Sequence, residues 1–453
     1  MLIDLLRASA DRDPDRPLVV TDARSVSVAE VLAESKAVAA QLSRRGIPRI
    51  GCLIDDVASL VAVICGAAAA GTEICVLPTY LDAGALDELV ASLGHPAVVV
   101  ESGHRPAGAD LLSLGEVTAP LPGSVSATEP DPGLLILTTG TTGQPKATHH
   151  KWSRLVSGVA SDHGATWLLT YNVNQFAGIQ LLLHVIVNDG TVVVPASRRP
   201  TDVIEAIGRH GITHVSGTPT FWRLLLVQTD EAFPVALEQI TLGGEVVPAD
   251  LLDRLHQMFP DTRITHIYAG TEFGSVIAVS DGLPGLPMDL LSRGEGGRAQ
   301  LKVVDGELHV RSSVGMISYV GGSDVTTEWI ATGDLVEVVG DRAMFVGRIN
   351  DRINVAGTKV SPHAIEEAVY AVDGVELAAA YGKPNPITGS IVVVDVVASP
   401  GQDLDALKQA IRAGCAKLPL PARPRLIRFV DALDRRGGKT LRGVAPTNMG
   451  VSR

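Results

Sequence analysis

The chain has 453 residues, of which 46% are hydrophobic and 19% charged, and its formal net charge is -12 at pH 7. This length predicts at least two domains, and the acidic balance argues against a surface for nucleic acid or anionic membranes. The longest charge-free apolar run, 57–72, ends at Glu73 and is diluted by glycine and alanine, so no bilayer span is predicted. Because no secretory signal is evident, we expect a cytoplasmic protein with no membrane contact. The four cysteines lack metal-type spacing and are few for so long a chain, so buried, unpaired thiols are expected.

Helical and strand patterns alternate through the first two thirds of the chain. A helix is predicted from Ser27, a candidate N-cap, to Arg45, and the apolar run 57–72 is interpreted as a buried helix. Further helices are predicted at 201–210, 220–228 and 248–259. Short buried strands are predicted at 52–54, 97–100, 134–138, 191–194, 213–216, 239–242 and 263–268. This order indicates layered, mostly parallel sheets covered by helices.

The pattern changes after residue 295. Close-set strands at 301–304, 307–311, 335–339 and 343–346 are joined by short turns, which is typical of antiparallel hairpins. A small α+β unit follows, with helices at 361–372 and 403–416 and strands at 375–381, 390–397 and 426–430. We therefore predict an α/β fold, in which a large N-terminal domain over 1–349 includes a β subdomain. A small, mobile α+β C-terminal domain would cover 350–453.

The most informative segment is a loop of sequence TTGTTGQPK, residues 138–146, after the apolar strand 134–138. Gly140 and Gly143 let backbone N–H groups face an anion, and Lys146 adds a positive charge, so the loop is expected to bind a polyphosphate. Threonine hydroxyls add donors at Thr138, Thr139, Thr141 and Thr142. The nucleotide-triphosphatase loop is excluded, because it needs glycine before the lysine and Ser or Thr after it. An ordinary surface loop is the alternative.

The loop resembles the signature of the adenylate-forming superfamily, which includes acyl-CoA synthetases, adenylation domains and luciferases. Four later segments match the same superfamily in the same order, and each alone would be ordinary turn or surface chemistry. They are Gly243-Gly244-Glu245, Tyr268-Ala269-Gly270-Thr271-Glu272, Ala331-Thr332-Gly333-Asp334 with the following Gly347-Arg348, and residues 437–442 around Lys439. Together they identify the chain as a member of this superfamily.

The resemblance implies an ATP site. The loop 138–146 would bind the β- and γ-phosphates, and the turn 243–245 would pack its backbone against adenine. Tyr268 would stack on adenine, with Ala269 and Gly270 beside it. Asp334 would accept hydrogen bonds from both ribose hydroxyls, since a carboxylate offers two acceptor oxygens, and Arg348 would also contact the nucleotide.

The resemblance also implies the catalytic groups. Thr271 would donate to the α-phosphate, and Glu272 would bind Mg²⁺, which prefers hard oxygen ligands. Lys439 would contact the substrate carboxylate and the α-phosphate, where its charge would stabilise the transition state as pyrophosphate leaves.

The segment at the expected acid pocket, 171–178, departs from the family pattern. It has neither the histidine of many acyl- and aryl-activating members nor the aspartate that meets the ammonium of an amino acid. An unpaired buried ammonium is unfavourable, so an α-amino acid is not expected. Pocket candidates are Asn174, Gln175, Phe176, Gly178 and Phe221, which favour a polar-substituted aromatic or short acyl carboxylate. The alternative is that the two amides bind backbone.

The hinge also departs from the pattern, because Asn350 stands where family members usually have Asp or Lys. Rotation of the small domain about this residue stays plausible, since asparagine tolerates unusual dihedrals. Gly357 and Lys359 match the segment that borders the pantetheine tunnel in thioester-forming relatives, with Lys359 where arginine is frequent. These residues leave CoA use open.

The leading hypothesis is an AMP-forming carboxylate–CoA ligase that uses ATP, Mg²⁺ and CoA. A first alternative keeps the adenylation but changes the acceptor to a carrier-protein thiol, an amine, or nitrite in an ATP-dependent diazotisation. A second alternative is a nucleotide-binding module without catalysis, which the charged candidate residues oppose, because degenerate sites lose such charges. The expected partners are a small-molecule carboxylic acid and, in the first alternative, a carrier protein. The acid stays open, and the chain is expected to be a monomer or a homodimer.

Overall fold

The computed structural model describes residues 1–101, 105–121, 131–138, 146–228, 233, 235–293, 297–325, 328–386, 388–433, 435–436 and 439–440. Within them the helices are α1 (Leu2–Arg12), α2 (Val28–Arg45), α3 (Val57–Ala70), α4 (Ala83–Leu93), α5 (Leu114–Thr118), α6 (Trp152–Ser157), α7 (Phe176–Val187), α8 (Pro200–Arg209), α9 (Pro219–Val227), α10 (Ala249–Met258), α11 (Met288–Arg293), α12 (Pro362–Tyr370) and α13 (Leu404–Gly414). Two short 3-10 helices cover Cys415–Lys417 and Leu420–Ala422.

The strands before the β subdomain are β1 (Pro17–Val20), β2 (Ser25–Ser27), β3 (Arg49–Leu53), β4 (Glu73–Val76), β5 (Ala97–Val100), β6 (Asp110–Ser113), β7 (Leu134–Thr138), β8 (Lys146–His150), β9 (Thr166–Leu168), β10 (Thr191–Val193), β11 (His214–Gly217), β12 (Gln239–Gly243), β13 (Arg263–Gly270) and β14 (Gly274–Val279). Those that follow are β15 (Leu286–Pro287), β16 (Ala299–Val304), β17 (Glu307–Ser312), β18 (Ser318–Tyr319), β19 (Ile330–Val339), β20 (Arg342–Arg348), β21 (Ile353–Val355), β22 (Thr358–Val360), β23 (Val375–Asn385), β24 (Gly389–Ala398), β25 (Leu426–Phe429), β26 (Arg435–Arg436) and β27 (Lys439–Thr440).

Two large sheets form the body of the N-terminal part. Sheet A has eight strands in the order β14-β13-β12-β11-β9-β10-β1-β2, and sheet B has seven in the order β18-β8-β7-β4-β3-β5-β6. The strands from β13 to β1 in sheet A, and from β7 to β6 in sheet B, are parallel. Antiparallel strands close the edges: β2 and β14 in sheet A, and β8 and β18 in sheet B. The predicted layered, mostly parallel architecture is confirmed.

A third sheet, sheet C, is the predicted β subdomain. Its five strands follow the order β15-β20-β19-β17-β16, and the neighbouring pairs are antiparallel. The turn between β16 and β17 has positive φ angles at both central residues, 50° at Asp305 and 80° at Gly306, as a two-residue hairpin turn requires. The antiparallel hairpins expected from the sequence are confirmed.

The C-terminal part has its own hydrophobic core. The strands β23, β24 and β25 form a three-stranded sheet, and β21 pairs with β22 in a separate hairpin. Fully buried residues from these elements and from α12 and α13 form one cluster, for example Ile365, Val394 and Ile411. A separate core agrees with a second domain, and the boundary between 349 and 350 stays a prediction.

Local chemistry explains why several predicted helices end where they do. Ser27 and Glu30 form a capping box at the start of α2, and Gly46 ends this helix with φ 62° in the left-handed region. The buried helix predicted over 57–72 ends earlier, at Ala70, because Gly71 adopts φ 73° and terminates it.

Strand β3 begins at Arg49, three residues before the predicted strand 52–54.

Close packing of α3 on α2 fixes the centre of the N-terminal core. A Cβ atom on Gly66 would lie 2.6 Å from the Val38 Cβ and 2.7 Å from the Ser35 carbonyl oxygen. The two helices therefore approach to a distance that glycine alone permits. The four cysteines are buried and unpaired, as expected. None of the helices in the described part of the chain combines the length and apolar character of a bilayer span.

Candidate active site

The carboxyl ends of four parallel strands bring the predicted segments together at one edge of sheet A. Leu168 of β9 is in register with Val215, Gly217 of β11 with Leu242, and Gly243 of β12 with Ile267. The segments 171–178, 243–245 and 268–272 therefore lie at or just after neighbouring strand ends. In open parallel sheets this edge is where ligands bind.

Asp334 is the centre of the best-defined polar cluster. Its Oδ2 accepts a hydrogen bond of 2.8 Å from the Tyr268 hydroxyl, and its Oδ1 accepts one of 2.6 Å from Arg348 Nε. The two charged residues are cross-strand neighbours on β19 and β20. The Asp334 side chain is 13% exposed, whereas that of Arg348 is 52% exposed, so the cluster reaches from the interior to the surface.

Burial sets the electrostatic state of this cluster. Burial and then the Asp334 carboxylate raise the pKa of Tyr268 well above its ordinary value, so its hydroxyl keeps its proton and donates. Burial opposes the charge on Arg348, but Asp334 more than compensates and raises the pKa of that guanidinium. The rings of Phe273 and Phe345 lie 5.2 and 5.3 Å from that of Tyr268 and hold it in place.

Glu272 and Lys146 both contact Tyr319, a residue outside the sequence motifs. The Tyr319 hydroxyl donates to Glu272 Oε1 at 3.3 Å, and Lys146 Nζ lies 5.6 Å from the centroid of the Tyr319 ring. Burial, with Glu272 nearby, raises the pKa of Tyr319 to about 12. No sequence signal singled out this tyrosine, because its position depends on β18 pairing with β8, far away in the chain.

The predicted phosphate loop is framed by a β-hairpin. Thr138 at the end of β7 is in register with Lys146 at the start of β8, and the Thr138 hydroxyl donates to the Lys146 carbonyl at 3.2 Å. The remaining predicted phosphate-binding residues lie outside the described residues; they are Thr139, Gly140, Thr141, Thr142 and Gly143. The hairpin brings both ends of the loop to one place, with Lys146 facing Tyr319.

The turn after β12 connects the site to helix α9. Gly244 has φ 82°, a left-handed conformation that glycine adopts readily. Glu245 Oε2 accepts hydrogen bonds from the Thr220 backbone N–H at 3.0 Å and from its hydroxyl at 2.6 Å. The carboxylate therefore lies at the N-terminus of α9, where negative charge is favourable.

The candidate acid pocket mixes buried and half-buried residues. Asn174 and Phe176 are both 8% exposed, and the Phe176 ring packs 6.1 Å from that of His150 within the main core. A Cβ atom on Gly178 would lie 2.2 Å from the Asn172 carbonyl oxygen, so this position serves close backbone packing. Gln175 is the N-cap residue of α7, without a capping hydrogen bond from its side chain.

Two aromatic side chains follow strand ends at the same edge. Tyr171 is buried, which raises the pKa of its hydroxyl to about 12, and it accepts a 3.4 Å hydrogen bond from Ser216. Its hydroxyl oxygen lies 4.0 Å from where a Cβ of Gly243 would be. Phe221, half-buried at the start of α9, packs over Gly217. Tyr171 is therefore a further pocket candidate.

The C-terminal part contacts this region at two places. The Ser361 hydroxyl donates to the Val346 carbonyl at 2.6 Å, and its oxygen lies 2.6 Å from where a Cβ of Gly347 would be, three residues before the exposed Asn350. The Arg223 guanidinium of α9 lies 4.1 Å from the centroid of the Tyr370 ring, a cation–π contact. Asp250 holds the same guanidinium at 2.7 Å.

The remaining candidates lie elsewhere in the C-terminal part. Gly357, with φ 84°, occupies the turn between β21 and β22, and Lys359 is exposed on β22. The backbone of Lys439 belongs to β27, which pairs with β26, and its side chain lies outside the described residues. Asn350 is exposed in the turn after β20, two residues beyond Arg348.

The comparisons with known proteins match this architecture. The family model of the AMP-binding enzymes matches residues 6–320, and that of the AMP-binding enzyme C-terminal domain matches residues 364–439. The chain belongs to the AMP-binding enzyme family. The family expected from the sequence motifs is thereby confirmed.

Curated relatives of this AMP-binding enzyme include ligases with different acceptors. A fatty acid–[acyl-carrier-protein] ligase of Streptomyces coeruleorubidus is 26% identical over 97% of this chain and 95% of its own. A feruloyl-CoA synthase of an Amycolatopsis species is 27% identical over 83% of each chain.

Solved structures confirm the predicted fold class. An anthranilate CoA ligase in complex with anthranoyl-AMP has a TM-score of 0.84 and 22% identity, over 97% of this chain and 95% of its own. An o-succinylbenzoate CoA synthetase of Bacillus subtilis, in complex with its acyl-adenylate, has a TM-score of 0.78 and 21% identity, over 97% of this chain and 96% of its own.

Proposed function

We propose that this AMP-binding enzyme activates an aromatic or short acyl carboxylic acid with ATP and transfers the acyl group to CoA. The reaction is that of an AMP-forming acid–thiol ligase with an acyl-adenylate intermediate. The single observation that carries this proposal is the Asp334 carboxylate, which is held by Tyr268 and Arg348 at the strand edge that also carries Glu272.

The chemistry of this cluster fits a nucleoside. Asp334 presents two acceptor oxygens, and a ribose presents two neighbouring hydroxyl donors. Tyr268 offers a ring for the base, with Ala269, Gly270 and the turn 243–245 beside it. Arg348, half exposed, can turn from Asp334 towards a phosphate or ribose oxygen. These residues bind and orient the nucleotide.

The residues around Glu272 fit a magnesium nucleotide. Within the described residues no group of three His, Cys, Asp or Glu side chains forms a metal site, and Mg²⁺ commonly takes one carboxylate with substrate phosphates. Glu272 would hold the ion, which when bound supplies positive charge at the phosphate oxygens. Lys146 and the loop 138–143 bind the leaving pyrophosphate, and Thr271 orients the α-phosphate.

The C-terminal domain contributes to both halves of the reaction. Lys439 stabilises negative charge while the substrate carboxylate displaces pyrophosphate. The domain, 350–453, then rotates about Asn350, and Gly357 and Lys359 come to line the path of the pantetheine thiol. Relatives named as CoA ligases, such as the feruloyl-CoA synthase, support CoA as the acceptor.

The acid itself is proposed from the pocket and from the relatives. Three relatives or solved structures are named for carboxylic acids that contain an aromatic ring: feruloyl-CoA synthase, 2-succinylbenzoate–CoA ligase and anthranilate CoA ligase. The candidate pocket residues in this chain are Tyr171, Asn174, Gln175, Phe176, Gly178 and Phe221. Because the segment 171–178 has no aspartate, an α-amino acid remains excluded from the proposal.

A carrier protein is the second candidate acceptor. The relative from Streptomyces coeruleorubidus, which aligns over 97% of this chain, is named as an acyl-carrier-protein ligase. An amine or nitrite as acceptor stays a prediction without such support. The oligomeric state, monomer or homodimer, also stays a prediction, and light scattering coupled to size-exclusion chromatography measures it.

A screen of carboxylic acids tests the proposed activity. We expect acid-dependent exchange between ATP and pyrophosphate for a subset of aryl or short acyl acids. With CoA present, AMP and a product with the mass of the acyl-CoA should appear together. Adenylation without acyl-CoA, followed by acylation of a phosphopantetheinylated carrier protein, would favour the second candidate. No exchange with any acid, although ATP binds, would contradict both.

A further inference from the structure

Tyr319 connects two groups that sit on different sheets. Glu272 follows β13 of sheet A, and Lys146 begins β8 of sheet B. The Tyr319 hydroxyl reaches the Glu272 carboxylate at 3.3 Å, and its ring lies 5.6 Å from the Lys146 ammonium nitrogen. One side chain thus contacts both the carboxylate proposed for Mg²⁺ and the cation proposed for pyrophosphate.

The backbone around Tyr319 is fastened on both sides. The Met316 N–H donates to the Glu272 carbonyl at 3.0 Å, while the Ile317 and Val320 N–H groups donate to His149 and Ala147 of β8 at 2.7 and 2.9 Å. Gly315 permits this approach, since a Cβ there would lie 2.6 Å from the Glu272 carbonyl oxygen. The segment 315–320 therefore bridges sheets A and B, and Tyr319 projects from a fixed support.

We propose that Tyr319 is a positioning residue that fixes Glu272 and Lys146 relative to each other for binding of the magnesium–triphosphate. The hydroxyl orients the Glu272 carboxylate, and the ring face restrains the Lys146 ammonium group. This inference rests on the proposed function, because it takes Glu272 as the metal-binding carboxylate. Outer partners of metal-binding side chains commonly change metal affinity about 10–100-fold.

Binding of ATP with and without Mg²⁺ separates the two contacts. In Tyr319→Phe the ring stays and the hydroxyl is lost, so we expect the Mg²⁺ concentration for half-maximal enhancement of ATP binding to rise about tenfold. ATP affinity in EDTA should stay within about twofold of wild type. In Tyr319→Leu the ring is lost as well, and affinity in EDTA should fall a further two- to fivefold. Isothermal titration calorimetry without acid or CoA measures both values.

The chain offers a matched control in Tyr381. Its hydroxyl lies 3.4 Å from Asp395 Oδ1 and its ring centroid lies 5.8 Å from the Arg428 guanidinium, the same pair of contacts in the C-terminal domain. Tyr381→Phe should leave both ATP affinities unchanged. Equal effects of Tyr319→Phe and Tyr381→Phe would indicate a general loss of stability and would overturn the inference.

Glu272→Gln distinguishes the inference from the function on which it rests. If this variant loses the Mg²⁺ enhancement while Tyr319→Phe keeps the wild-type response, the positioning role is wrong and the role of Glu272 stands. If the Mg²⁺ response of Glu272→Gln equals that of wild type, the proposed role of Glu272 fails, and the inference fails with it. Loss in both variants, with the Tyr381 control unchanged, supports the inference.

Discussion

Replacing Asp334 by asparagine tests the proposed ribose site most directly. Asp334→Asn keeps the shape of the side chain but replaces one acceptor oxygen with an amide donor. Tyr268 and Arg348 both donate to the carboxylate, so one of them must face the new NH₂ group. Arg348 is half exposed and can be solvated instead, which limits the loss of folding stability to about 1 kcal/mol.

The expected loss of nucleotide affinity is larger. A hydrogen bond to a charged group contributes about 1.5–3 kcal/mol, and the amide retains one neutral acceptor for the ribose. The net loss should be about 2 kcal/mol, which corresponds to roughly 30-fold weaker binding of AMP. Calorimetry with AMP and with 2′,3′-dideoxy-AMP measures it. Wild type should prefer AMP by about the same factor, whereas Asp334→Asn should bind both nucleotides within about twofold.

The preference for ribose hydroxyls is the decisive quantity. If Asp334→Asn still prefers AMP over the dideoxynucleotide by the wild-type factor, Asp334 does not contact the ribose. Weaker binding of both nucleotides with an unchanged ratio would show that the cluster acts only by stabilising sheet C.

Three further predictions concern catalysis, pH and packing. Lys439→Ala should reduce acid-dependent ATP–pyrophosphate exchange about 100-fold or more, because a charge aimed at the transition state is lost, and thioester formation from supplied acyl-adenylate should persist; unaffected exchange would remove Lys439 from the proposal. Burial lowers the pKa of His150 to about 3 and that of His95 to about 4, so below pH 6.5 the unfolded chain binds protons that the native histidines do not, and stability falls with decreasing pH. Each histidine contributes about 1.4 kcal/mol per pH unit between pH 6.5 and its native pKa. The free energy of unfolding, measured with denaturant at several pH values, should therefore depend less steeply on pH in His150→Gln than in wild type, unlike in exposed His163→Gln. Gly66→Ala should destabilise the fold by about 1–3 kcal/mol through overpacking against α2, whereas Gly115→Ala, with nothing near its added Cβ, should not; equal effects would contradict the packing argument.

Much of the fold could be predicted because local signals and tertiary structure agree. The capping box at Ser27 and the left-handed Gly46 bound α2 as expected, and the strands 97–100 and 134–138 have the predicted limits. The edge strands were harder. β18 contains two residues, and it exists only because β8 provides a partner far away in the chain.

The candidate site was predictable where a motif carries the chemistry. Tyr268, Asp334 and Arg348 come together although 66 residues separate the tyrosine from the aspartate. Two features lay beyond local sequence. Tyr319 depends on sheet pairing, and Glu245 contacts Thr220 at the start of α9, which no short-range pattern indicates.

Helix α9 lies between the turn proposed for adenine and the C-terminal part. Glu245, in the turn proposed for adenine, accepts a hydrogen bond from Thr220 in the first turn of α9. Arg223 on the same helix contacts the ring of Tyr370 in the C-terminal part. The helix has nine residues and a length of about 13 Å, so a rigid displacement of either end would move the other. Coupling through it must be reciprocal: by whatever factor docking at Tyr370 strengthens nucleotide binding, the nucleotide strengthens docking.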